Sequence, residues 1–272
     1  MGVAEPIFAS WKADLSLGFR YENNRTVLAE KCFSGPLVVQ KPLYPEGDGV
    51  CHAIVVHPPA GIVGGDQLSV RVRAAPQSAV LMTTPGAGKW YRSAGPWASQ
   101  KLCFDVGGTL EWLPQETIVF DGALADIACE VNLGADASYI GWEILCLGRG
   151  AGERFDSGRI ELRNKVFRNG GPLWHERGAI DANGRLMHAP AGLDGKSVCA
   201  TLIAAAPDID RSVVAECRGV EDVAVTLLPG VLIARHLGDS SEAAKQRLVE
   251  LWRILRPALL GRAAQPPRIW RT

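Results

Sequence analysis

The sequence lacks an excess of charge of either sign. Its 272 residues hold 29 Lys and Arg against 29 Asp and Glu, and no stretch gathers the basic side chains into a stripe. Nucleic-acid binders neutralise phosphates through such a stripe, so no nucleic-acid partner is expected. Paired cysteines are also missing. The seven thiols (Cys32, Cys51, Cys103, Cys129, Cys146, Cys199, Cys217) are odd in number, and none has CxxC spacing. That argues against a disulfide framework or structural zinc site and for reduced thiols. There is no long hydrophobic run. Val223 to Ala234 is the longest, is broken by Thr226, Pro229 and Gly230, and is too short to cross a bilayer. Met1 to Trp11 has no apolar core behind a basic head, and Pro6 stands where a myristoylation signal needs Ser or Thr. The expectation is a cytoplasmic chain with no membrane partner.

The usual enzyme signatures are absent as well. Gly88-Lys89 suggests a phosphate loop, but Thr83 replaces its first glycine and Trp90 its metal-binding hydroxyl. His175-Glu176 opens like a metalloprotease helix, yet Ala179 stands where the second histidine belongs. No serine lies in a GxSxG elbow or an SxxK pair, and no GxGxxG opens a helix. The chain is expected not to be an enzyme, with a β-rich hydrolase of unrecognised site as the alternative.

Turns and alternation are abundant. The 30 Gly and 17 Pro punctuate runs in which apolar and polar residues alternate. Leu68, Val70 and Val72 form one such run, Leu102, Phe104 and Val106 a second, Ile127 to Leu133 a third, Ile160 and Leu162 a fourth. Each buries one face and wets the other. With no helices between them, the runs predict a mainly β, many-stranded, mostly antiparallel single domain spanning 1–272. One helix is expected at 239–257, and at most two more short ones. Asp239 with Glu242 makes its capping box and Pro257 its end. Its stripe Leu248, Leu251, Trp252 and Leu255 either packs on the β body, over about 12–237, or binds a partner. The Pro- and Arg-rich tail, 263–272, is expected to be mobile.

No tight metal cage is legible. His52 and His57 fall on opposite faces of one strand, while Cys51 and His57 share a face but lie about 20 Å apart. Dispersed carboxylates (Glu46, Asp66, Glu116, Asp121, Glu143, Glu176) offer weak oxygen ligation suited to hard or borderline divalent ions. In His57-Pro58-Pro59-Ala60-Gly61-Ile62-Val63-Gly64-Gly65-Asp66, two prolines and three glycines predict a rigid, shaped loop.

That loop and three further blocks resemble the UreD family of urease accessory proteins. The blocks are Gly35-Pro36-Leu37 with Tyr44-Pro45-Glu46-Gly47; Cys51-His52 running into the loop; Thr83-Thr84, Lys89 and Tyr91-Arg92; and Glu111 to Glu116 with Ile118, Phe120 and Ala123. A weaker fifth holds Glu143, Gly148-Arg149, Gly152-Glu153 and Phe155. Ala60 departs from the family's glycine, and Pro85-Gly86-Ala87-Gly88 from its usual stretch before the lysine. The resemblance implies a non-enzymatic β fold that binds the urease apoprotein and UreF, and through UreF the GTPase UreG. It also implies transient, loosely held Ni²⁺ and no tightly bound cofactor. The relay residues it suggests are Asp66 and Glu143, then Glu46 and Glu176. His57, Pro58, Pro59, Gly61, Gly64, Gly65, Thr84, Lys89, Tyr91 and Arg92 are expected to shape the fold or meet a partner. A purely structural adaptor is the alternative.

Overall fold

The computed structural model describes residues 10–149 and 152–271. The chain opens with a hairpin, β1 (Lys12–Glu22) and β2 (Arg25–Ser34), turned by Asn23 and Asn24, both at positive φ, as a tight two-residue turn demands. The short β3 (Val38–Val39) and β4 (Cys51–Val56) lead into a second sheet. From there the chain winds between two facing sheets. It passes through β5 (Gln67–Ala74) in the first, then β6 (Ala79–Thr83) and β7 (Gly88–Trp90) in the second. It repeats with β8 (Ala98–Val106), then β9 (Thr109–Trp112) and β10 (Thr117–Val119). A third circuit follows through β11 (Ala123–Leu133), then β12 (Ser138–Arg149) and β13 (Glu153–Arg154). The hairpin β14 (Gly158–Arg168) and β15 (Gly171–Asp181) returns to the first sheet. The remainder is α1 (Arg185–His188), β16 (Val198–Ala205), α2 (Arg211–Arg218), β17 (Val223–Leu228), β18 (Val231–Gly238), α3 (Ser241–Leu260) and a 3₁₀ turn, Arg268–Arg271.

The first sheet runs β15-β14-β11-β8-β5-β1-β2 and the second β17-β18-β16-β12-β9-β6-β4-β3. The many-stranded β domain with a C-terminal helix is as the sequence implies, but the sheets are mixed. Strands β1, β5, β8, β11 and β14 are mutually parallel, as are β4, β6, β9 and β12. Parallel neighbours need a long crossover, which a helix usually supplies; here a strand of the opposite sheet supplies it. At the corners the ladder continues through the turns, with Gly107 N–H donating to the Ala74 carbonyl (2.7 Å), Gly134 to Val106 (2.8 Å) and Asn169 to Leu133 (2.9 Å).

Two cores result. Leu15, Val70, Phe104, Tyr139 and Val166 fill the space between the sheets. Leu81, Ile140, Trp142, Leu248 and Trp252 fill the space between the second sheet and helices α2 and α3. Strand β12 is covered on both faces, Tyr139 and Leu145 turning to one core, Ile140 and Ile144 to the other. Its sequence is therefore nearly continuously apolar.

Helix α3 departs from expectation in three respects. Ser240, not Asp239, is the cap and accepts the Ala243 N–H at 3.2 Å; Asp239 instead binds Lys196 Nζ at 2.8 Å and the Ser197 N–H. The helix runs past Pro257 for a further turn and ends at Gly261 with φ 64°, the left-handed conformation glycine adopts freely. The stripe Leu248, Leu251, Trp252 and Leu255 is fully buried in the second core and offers no docking face, because the outer side of the second sheet is apolar and needs this cover. The tail is tied down. Trp270 packs against Trp142 and Trp252, with ring centroids 5.4 and 5.7 Å away, and its indole N–H donates to Thr83 Oγ1 at 2.9 Å. Among the described residues no helix is long and apolar enough to cross a membrane.

Candidate functional site

The two sheets do not close on each other throughout. A cavity of about 230 Å³ lies between them. Val70, Leu102 and Val131 wall it from the first sheet, and Val55, Trp112 and Ile203 from the second. Residues 84–89 and 114–117, from the segments that lead into β7 and β10, also line it.

Glu143 faces this cavity from β12, beside Thr201 of the neighbouring β16. It is half-buried there. Burial, helped by the charge of Glu176, pushes its carboxyl up to about 7, since desolvation disfavours the charged form. Near neutral pH the group thus stands between its protonated and charged forms. Tyr139 and Cys129 lie alongside. Burial drives both protons on, the Cys129 thiol up to about 12. Glu176, on β15, is ion-paired with Arg235 of β18.

The proline-glycine loop runs past the same cavity. His57, Ala60 and Ile62 line it. His57 Nε2 is buried without a hydrogen-bond partner among the described residues, and burial lowers its pKa against the opposing pull of Asp66. Burial thus favours the neutral form of the imidazole. Asp66 lies outside the cavity lining and is the knot of the loop. It is buried, accepting the Trp11 N–H at 2.8 Å and the Val63 N–H at 2.9 Å. Gly61 and Gly64 have no room for a side chain: a Cβ there would run into Tyr91 and into Ser93 with the Pro96 carbonyl. Gly65 has φ 96°, which glycine alone adopts cheaply. Pro58 and Pro59 sit at the exposed turn of the loop, where the Ala60 N–H bonds the His57 carbonyl.

Glu46 is committed elsewhere. On the helix side of the second sheet, Arg256 of α3 donates to both Glu46 oxygens (2.6 and 2.8 Å) and, through Nε, to Glu111 (2.7 Å). His52 Nε2 lies 2.6 Å from Glu46, and Trp252 donates to Glu111 at 3.3 Å. Burial alone would raise the Glu46 carboxyl, but His52 and Arg256 pull it down to about 2. Glu111 stays raised by its deeper burial, although Arg256 opposes this. Among the described residues no three His, Cys, Asp or Glu side chains converge as a metal cage.

The profile of the family described as UreD urease accessory protein matches residues 12–271. The urease accessory protein UreD of Dechloromonas aromatica (strain RCB) is 53% identical over 97% of this chain and 95% of its own length. That of Azoarcus sp. (strain BH72) is 52% identical over 96% and 94%. The chain belongs to the UreD family.

Within this UreD-family chain, then, the structure puts Glu176 within electrostatic reach of Glu143 and holds Asp66 and Glu46 elsewhere, each in its own bonds. Thr84 Oγ1 accepts the Gln115 N–H at 2.9 Å, Lys89 borders the cavity, and Arg92 pairs with Asp121. Tyr91 is exposed and packs on Phe120, centroids 4.8 Å apart. The family's usual glycine, replaced here by Ala60, belongs to a left-handed position: Ala60 has φ 58°. Sequence reasoning missed His57 as a free nitrogen donor and Arg256 as the partner of Glu46. Arg256 had a signal: it follows the apolar stripe, four residues after Trp252. His57 had none, because an unpartnered nitrogen is a property of the packed fold.

Proposed function

We propose that this urease accessory protein is a non-enzymatic scaffold and nickel conduit. It docks on the urease apoprotein, recruits UreF and through it the GTPase UreG, and passes Ni²⁺ through the cavity between its sheets. What carries the reading is a protected interior space with apolar walls that contains a carboxylate, Glu143, at the balance point between proton and cation. A relay must let go of its ion. A site of one or two oxygens and a neutral imidazole binds a borderline divalent ion loosely, whereas a closed Cys/His cage retains it.

The test is performed in cells expressing the whole urease operon. Glu143→Leu fills the space beside Thr201 and removes the charge. The expected result is loss of nickel-dependent urease activity, with the accessory complex still recovered on a tagged urease. Normal activation by this variant sinks the conduit and leaves a structural adaptor.

A further inference from the structure

We infer that the Glu176–Arg235 ion pair is the gate of a lateral polar passage from the interior cavity to the edge of the sandwich, with Arg235 the resident counter-ion that a divalent cation displaces. The inference rests on the conduit reading and adds a port and a gate to it.

Strand register places the passage. In the second sheet Glu143 lies opposite Thr201, and Thr201 opposite Arg235. In the first, Cys129 lies opposite Asn164, and Asn164 opposite Glu176. Directly opposed residues project from the same face of a sheet, and Glu143, Thr201, Cys129 and Asn164 all line the cavity. Two polar rows therefore face each other across the gap, and each ends two strands further out. At a strand spacing of about 4.8 Å, the lane from Glu143 to the edge is roughly 10 Å long. At its outer end Glu176 and Arg235 join hands from one sheet to the other. Strand β15 is the rim of the first sheet and β18 is next to the rim of the second. The pair is partly in water, with side chains 27% and 43% exposed.

The chemistry follows from that placement. A half-exposed ion pair is weak and opens readily. While the lane is empty, the guanidinium satisfies Glu176 and bars the edge. A divalent ion carries twice the charge of Arg235 and is drawn to Glu143 and Glu176 together. It takes the place of the guanidinium, which swings out to water.

The experiment uses the full-length chain and Ni²⁺ itself, in competition with a chromophoric chelator. Arg235→Gln removes the counter-ion, and nickel affinity is expected to rise about tenfold, the size of effect one unit charge exerts over such a distance in a partly screened site. Combining it with Glu143→Gln should abolish the gain. Arg235→Gln and Glu176→Gln should each speed alkylation of the half-buried Cys199 severalfold by site-resolved mass spectrometry, the rates being compared per thiolate from their pH profiles because Arg235 lowers and Glu176 raises the pKa of that thiol. Should Arg235→Gln not fold, Glu176→Gln breaks the same pair and its Cys199 labelling decides. Unchanged nickel affinity in Arg235→Gln, or unchanged Cys199 labelling in Glu176→Gln, overturns the gate; weakened binding in Glu143→Gln alone then leaves the conduit standing. Nickel binding unaffected by Glu143→Gln removes the conduit and the gate with it.

Discussion

Ala60 occupies a conformation that L-residues enter at a cost of about 1–2 kcal/mol, and its φ of 58° is set by the turn between Pro59 and Gly61. Ala60→Gly is expected to raise stability by about 0.5–1 kcal/mol, less than the full strain because glycine gains freedom when unfolded; thermal melting measures it. Glu143 has a folded pKa of about 7, above its ordinary 4.5. A raised carboxyl contributes stability that is complete below pH 4.5 and lost as pH rises through 7. The loss is about 3 kcal/mol for a shift of this size. Glu143→Gln should flatten that slope in urea titrations and leave the variant more stable than the parent at pH 8. Glu143 was legible because a lone carboxylate inside the run Tyr139 to Leu147 must face something polar. The bonds of Asp66 to Trp11 and of Glu46 to Arg256 were not, since those partners lie 55 and 210 residues away in sequence.

Helix α3 is held by two unlike means. Its apolar stripe is buried in the second core, and Leu251→Ala should cost about 2–5 kcal/mol in denaturant unfolding. Arg256 neutralises two buried carboxylates. Arg256→Met leaves Glu46 and Glu111 without their cation, a loss of about 3–5 kcal/mol, and restoring packing alone cannot repair it. Reversing the defect with Glu46→Gln and Glu111→Gln in the same chain should recover much of that stability, which separates charge from volume. At this scale the periodicity revealed the helix and its buried stripe, but not its ends. Ser240 and Asp239 are both good caps, and only the tertiary partner Lys196 decides between them. The docking role once open for the stripe fails for a related reason: an apolar face looks the same in sequence whether a partner covers it or the chain's own sheet does.

Across the whole molecule, alternation revealed the strands yet not their direction. A period of two is the same in parallel and antiparallel ladders, and the short turns at Gly107-Gly108 and Ala75-Pro76-Gln77 fit a hairpin as well as a corner between sheets. The winding path emerges only when Gly107 is seen to bond Ala74 and Gly134 to bond Val106, each turn resting on the one before. The cavity is a consequence of that path, for neither sheet encloses it alone. The family was legible through local motif blocks, several of which are shaped loops such as His57 to Asp66. The interior lane was not, because its two rows take one residue from each of six strands whose pairing and register the alternation does not reveal.

A coil in which every rung is hydrogen-bonded to its predecessor can be laid down in the order of synthesis. Until α3 arrives, however, a nascent molecule carries one greasy flank on the outer side of its second sheet. It stays adhesive until the last thirty or so residues settle onto the rest, so slow docking of that segment should lower the yield of usable protein.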